Sequence, residues 1–345
     1  MTAPDPSACE DAQFLLALTK STLSASLFAL ALFVPSQACA AAQDSAQQAW
    51  PARSVRIVVP SSPGGGTDRY ARLLAQTLSE NLKQPIVIDN RPGAAGNIGA
   101  EIAARAAPDG YTFLVASNAS LAINASFHKS LSYSPERDLA PVTRGVRAPG
   151  VIASHPSIPV KTLSALVALG KREPSKLAYG SAGSGSPGHL SIRMVEEVSG
   201  ARFIHVPYKG VGQALQGLLR GEVGFIFGDL TSVLPYARAG RLVALAVTES
   251  TPQLPATPTT AAVGYSSIAY SVSFSVVAPA GTPQGIVQRM SAEVIKAMKS
   301  PALKEKLEGF GYVPVFDTPE EFAASLKKER QTWADVIRRN NIVAD

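Results

Sequence analysis

The chain has 345 residues, of which 46% are hydrophobic and 17% charged, and its formal net charge is +6. That length suffices for two ordinary domains with a buried core, and the composition excludes a disordered or fibrous chain. The basic residues are dispersed without Lys/Arg runs, so no nucleic-acid partner is expected, and a mildly basic surface suits small anions.

Residues 1–42 read as a leader. Leu23 to Val34 is apolar, follows Lys20, and precedes Ala38-Cys39-Ala40, a small-x-small cleavage signal of the secretory type. The run is too short to span a bilayer comfortably. Asp5, Glu10 and Asp11 ahead of Lys20 make an unusual n-region, which places the expected start of the leader downstream of Met1. Both cysteines, Cys9 and Cys39, fall within this segment, so cleavage after Ala40 leaves neither disulfide nor thiolate chemistry. The removed part carries a net −2, which leaves +8 on the remainder.

Beyond a polar lead-in, Val55 to Val59 is a short β-branched run that predicts a buried strand. A loop of three successive glycines follows, Pro60-Ser61-Ser62-Pro63-Gly64-Gly65-Gly66-Thr67-Asp68. Tyr70, Leu73, Leu74, Thr77 and Leu78 then recur at helical spacing, predicting a helix from Thr67 to Leu82 with Thr67 or Asp68 as its cap. Pro85 to Ile88 is the next strand, Gly93 to Gly99 opens a helix through Ala106, and Tyr111 to Val115 is a third strand ending at Ser117-Asn118. Strands alternating with helices across short turns imply α/β architecture with parallel-dominated sheets.

A Pro/Gly break at Arg147 to Gly150 separates this block from a second one of the same rhythm. That block predicts a helix at Thr162 to Arg172, a strand at Leu177 to Tyr179, and a second glycine-rich loop from Gly180 to His189 leading into a helix that ends at Ser199. Strands at Phe203 to Val206, Val223 to Phe227 and Leu242 to Val247 follow, with a helix at Val211 to Arg220 after the first of them. A Pro/Thr-rich stretch, Thr251 to Thr260, leads to a strand at Phe274 to Pro279 and two closing helices, Gln284 to Lys299 and Pro319 to Arg339. The second block is therefore expected to be inserted in the first: lobe 1 from 50–147 plus 270–345, lobe 2 from 148–269. Two lobes joined by two crossings form a hinged cleft into which strand C-termini and helix N-termini point. Each glycine-rich loop would aim backbone N–H groups into that cleft, the arrangement that holds anions.

Nucleotide chemistry does not fit these loops. No Gly-Lys-Ser/Thr run completes a phosphate-binding loop, and Gly64-x-Gly66 is followed by Arg69 where a dinucleotide fingerprint needs glycine. Ser181, Ser184 and Ser186 lie outside any Gly-x-Ser-x-Gly elbow, although Ser186 with His189 one helical turn on leaves a Ser/His hydrolase as an alternative. The four histidines show no ligand spacing, so no metal is expected. Tyr208 and Lys209, at the end of Val206-Pro207, offer a phenol and an ammonium suited to a carboxylate; Asp229, after Val223 to Phe227, needs a hydroxyl, amine or cation beside it.

Taken in order, Trp50-Pro51 with Val55 to Asp68, Asp89 to Gly99, Pro108 to Thr112, Gly180 to Leu190, Val206 to Gly210, Ala239 to Val247 and Ala278 to Pro283 resemble the Bug receptors, the solute-binding receptors of tripartite tricarboxylate transporters. The resemblance implies a two-lobed periplasmic binding protein of the Venus-flytrap type that captures a small organic carboxylate (di- or tricarboxylate, acidic amino acid or aromatic acid), without catalysis or cofactor. It implies a monomer that works with the membrane subunits of a transporter; a sensor for a membrane kinase would share every binding residue. The positions carried over as ligand-binding are Ser61, Gly65, Thr67, Asp68, Ser117, Asn118, Ser181, Gly183, Ser186, His189, Tyr208, Lys209 and Asp229. Ser61-Ser62 stands where the family usually shows an aromatic or apolar residue beside proline or alanine, and Pro187-Gly188 stands where a bulkier residue is common at the second position.

Overall fold

The computed structural model describes residues 50–128, 130–268 and 270–339. The expected leader lies outside the described residues. In chain order the first block comprises β1 (Val55–Val59), α1 (Gly66–Leu82), β2 (Ile86–Asn90), α2 (Asn97–Ala104), β3 (Thr112–Ser117) and α3 (Asn124–Phe127). β4 (Leu139–Ser154) then leads into α4 (Leu163–Arg172), β5 (Ala178–Ser181), α5 (Pro187–Ser199), β6 (Ile204–Pro207), α6 (Val211–Leu219), β7 (Phe225–Asp229), α7 (Leu230–Arg238) and β8 (Val243–Val247). The chain closes with β9 (Ser271–Pro279), α8 (Gln284–Lys299), α9 (Pro301–Gly309), β10 (Val313–Pro314) and α10 (Pro319–Arg339).

Local chemistry sets these elements. The β-branched run of β1 suits a central strand, and Val55, Val58 and Val59 are fully buried. α1 turns Tyr70, Ala71, Leu74 and Leu78 inward as one stripe. α5 is delimited at both ends: Ser186 caps it, Pro187 occupies its first turn, and Gly200 ends it in the left-handed conformation.

The strands form two sheets that share β4. In the first, β1 pairs in parallel with β2 and β3, while β9 runs antiparallel between β3 and β4, and β10 adds to β4. In the second, β5 pairs in parallel with β6 and β7, while β4 runs antiparallel to β7 and β8. The α/β class and the two-lobed fold are as expected; the sheets are mixed rather than parallel-dominated, because each crossing strand enters antiparallel. The sequence break at Arg147 to Gly150 is no loop. Residues up to Pro149 pair with β9, and from Gly150 onward the same strand pairs with β7. Pro149 removes a ladder donor where partners change, and Gly150 makes room for Phe227.

α10 ties the two cores together. Its Phe322 and Leu326 pack with Val58, Leu114 and Val277 of the first sheet. Two and three turns later Trp333 and Ile337 pack with Leu190, Ile192 and Phe225 against the second. The helix assigned by sequence to lobe 1 is therefore shared.

The tight approach at the crossing generates a test. A Cβ on Gly150 would run into the Phe227 ring. Gly150→Val is expected to cost about 1–3 kcal/mol through overpacking, read as a lower urea midpoint. An unchanged midpoint would contradict the close approach.

Candidate functional site

Between the sheets lies a cavity of about 70 Å³ walled by both. Five helices begin at its edge. Thr67 comes from the first turn of α1, Gly96 caps α2, Ser186 to Gly188 cap and open α5, Gly210 and Val211 cap and open α6, and Asp229 caps α7. Ser117 and Ala119 contribute the end of β3, and Phe227, Val272 and Phe274 make the apolar floor. Each helix N-terminus carries roughly half a positive charge on its unsatisfied N–H groups. Among the described residues no Lys, Arg or His side chain lines it, and Asp229 is the one ionisable side chain that does.

Asp229 is already compensated. Its Oδ1 accepts from the backbone N–H of Ser232 at 2.9 Å and from the Thr231 hydroxyl, and its Oδ2 accepts from the Ser232 hydroxyl at 2.9 Å. Three donors and the α7 N-terminus hold this carboxylate as a cap and offset the cost of burying its charge.

The two sides touch across the cavity. A Cβ on Gly66 would stand 2.5 Å from Asp229 Oδ1, and one on Gly212 would stand 2.7 Å from the Pro63 carbonyl oxygen. Arg69 reaches over to donate to the Thr231 carbonyl. Tyr312, buried against Tyr70 and Phe274, donates to the Gly66 carbonyl at 2.7 Å and fixes the first loop from behind. The loops are thus closed on one another, with glycines where backbone meets the opposite wall.

Of the thirteen positions proposed from sequence, Ser61, Thr67, Ser117, Ser186 and Asp229 line the cavity. Gly65 borders it as the α1 cap, in contact with Val211. The remainder support the loops. Asp68 accepts from the Gly64 N–H at 3.0 Å, Arg72 Nε at 3.0 Å and Asn90 Nδ2 at 2.9 Å. Burial pushes its carboxyl up, but these donors outweigh burial and leave it below the usual aspartate range. It braces the first loop from outside and neither caps α1 at its N-cap position nor lines the cavity. Asn118, adjacent to Ser117, donates to Glu329 and accepts from the Tyr270 hydroxyl.

In the second loop, the Ser181 Oγ lies 2.6 Å from His205 Nε2, and the Gly183 N–H donates back to that Oγ at 3.1 Å. Gly183, at φ +124°, packs against the backbone of Ala95. His189 turns away from the cavity: its Nδ1 accepts from the Gly185 N–H at 3.1 Å and its ring stacks on His205 at 4.1 Å. Ser186 Oγ accepts the backbone N–H of His189, so the pairing considered for a hydrolase is a helix cap. Tyr208 directs its hydroxyl to Glu222 at 3.3 Å, and Lys209 is exposed. Their phenol and ammonium do not face the cavity, because the strand end turns them outward while Gly210 and Val211 turn in.

Sequence reasoning missed Ala95, Gly96, Gly188, Gly210 and Val211, which offer backbone rather than side chains. The sequence signal for the first two was the Gly93-Ala94-Ala95-Gly96 turn itself; in the structure Ala94 and Ala95 sit there at φ +47° and +51°, a strained conformation for a non-glycine residue.

A family model, the tripartite tricarboxylate transporter family receptor, matches residues 70–342. The chain belongs to this receptor family. Protein BugT of Bordetella pertussis is 38% identical over 292 residues, 84% of this chain and 90% of that one. Among solved structures, R. palustris Rpa4515 with adipate superposes with a TM-score of 0.82 at 34% identity, covering 85% of this receptor and 99% of the other. MatC from Rhodopseudomonas palustris with bound malate gives 0.80 at 29%, covering 84% and 100%.

Two tests follow from the receptor's geometry. Gly66→Ala is expected to block closure and weaken ligand binding on the order of tenfold or more while leaving the unliganded melting temperature nearly unchanged; equal affinity by calorimetry would contradict a closed seam there. Burial raises the Glu329 carboxyl above its usual range against the opposing hydrogen bond from Asn118. A raised acid favours the folded chain below the ordinary glutamate pKa, and that contribution is lost as pH rises through the raised value. Glu329→Gln is therefore expected to gain stability relative to the wild type near pH 8 but not near pH 4, by urea midpoints; the same difference at both would contradict it.

Proposed function

We propose that this receptor captures a short dicarboxylate in the periplasm, as a monomer, and presents it to the membrane subunits of a tripartite transporter. The observation that carries the reading is the meeting of five helix N-termini around a cavity whose described lining residues include no basic side chain. Such a site neutralises a carboxylate with oriented N–H groups that need no reorganisation when the ligand arrives. Ser61, Thr67 and Ser117 add hydroxyls from the first side, and Ser186 adds one from the second. About 70 Å³ is room for a handful of water-sized groups, which suits a short acid. Adipate and malate in two relatives are dicarboxylates of this class. The seam of loops closed over the cavity supports capture by lobe closure, with binding coupled to how often the closed form is reached. The secretory character of residues 1–42, together with the family, supports the periplasmic location.

A thermal-shift and calorimetric panel tests this: succinate, malate, glutarate and adipate against the uncharged diamide of adipic acid. At a hundred times the dissociation constant the true ligand adds about 2.7 kcal/mol of stability. At least one diacid should raise the melting temperature while the diamide does not. Lys209→Ala should bind that acid with unchanged affinity, because the ammonium is outside the cavity. Equal response to the diamide, or none to any acid, would overturn the reading.

A further inference from the structure

A second cavity, of about 580 Å³ and lined by other residues than the first, lies between α5, α10 and the chain that leads into β9. Its chemistry differs from that of the cleft. Tyr270 and Trp333 form an aromatic corner, with ring centroids 4.8 Å apart at 82°, and Met194 and Ile268 extend the apolar wall. At its inner face Ser191 is 1% exposed, and its Oγ has no hydrogen-bond partner among the described residues. A buried hydroxyl without a partner costs about 1–3 kcal/mol relative to a satisfied one. Of the charged groups in the lining, Lys328 is exposed and forms no ion pair among the described residues, Arg144 is engaged by Asp317 at 2.9 Å, and the Glu329 carboxyl accepts from Asn118.

We propose that this groove is a second ligand site, for a hydroxylated aromatic acid. The aromatic ring would lie in the Tyr270–Trp333 corner, where edge and face contacts favour a third ring. A hydroxyl on that ring would meet Ser191 Oγ, which can donate or accept. The carboxylate would remain at the rim beside the Lys328 ammonium, half in water, so its charge is not buried. An aliphatic acid would leave Ser191 unsatisfied, and a neutral phenol would leave Lys328 unused. The site is independent of the dicarboxylate reading, since no residue is shared between the two cavities.

Calorimetry with 4-hydroxyphenylacetate on the full receptor tests it. Saturable binding of one molecule per chain is expected, with phenylacetate weaker. Ser191→Ala and Lys328→Glu should each reduce affinity roughly fivefold to tenfold, both being changes the fold tolerates at a small buried site and on an exposed helix face. Neither variant should alter the response to the diacid panel. Absence of saturable binding, or binding that both variants leave unchanged, would overturn the proposal. Loss of 4-hydroxyphenylacetate binding with the cleft response intact separates its fate from that of the dicarboxylate reading.

Discussion

The arrangement depends on one strand being shared by two sheets. β4 pairs with β9 up to Pro149 and with β7 from Gly150, so both sheets are anchored to the same line of backbone. Because β3 and β7, with β1 and β5 parallel to them, end near the level of its Pro149–Gly150 crossing, the helices that follow them start beside that crossing. A parallel strand leaves the N-terminus of its following helix at the strand's C-terminal end, and here two sets of such ends face each other. The gathering of helix N-termini around the cavity is a consequence of connectivity before it is a consequence of any side chain.

That origin explains the economy of the cavity. Fixed N–H groups supply positive potential without a lysine or arginine whose desolvation would have to be offset. The one carboxylate in the lining, Asp229, is held by Ser232 and Thr231 as a cap. Glycine is found where the walls meet, since Gly66 and Gly212 approach Asp229 and Pro63 too closely for a side chain. Behind the loops a layer of polar contacts, Asp68 with Arg72 and Asn90 and Ser181 with His205, keeps the backbone donors aimed.

Much of this was legible in the sequence. The alternation of strands and helices points to the α/β binding-protein fold, and both glycine-rich loops border the cavity. The crossing strand was not legible, because Pro141, Pro149 and Gly150 interrupt its pattern and its sixteen residues change sheet midway. Helices α7 and α9 were missed for related reasons: Pro235 lies inside the first, and the second is short and mostly exposed. At the site, sequence reasoning favoured side chains with evident chemistry, such as Lys209, Tyr208 and His189. The cavity is instead lined by Ala95, Gly96, Gly188 and Val211, which offer backbone and whose placement depends on where the chain turns.

The central claim is that backbone N–H groups at helix starts, not a basic side chain, bind the ligand's carboxylate. A crystal structure of the receptor with the tightest diacid of the panel tests it most directly. The account predicts a carboxylate inside the cavity, within hydrogen-bond distance of N–H groups at the starts of α1, α5 or α6. A carboxylate seated on Lys209 or on another Lys or Arg side chain would contradict it.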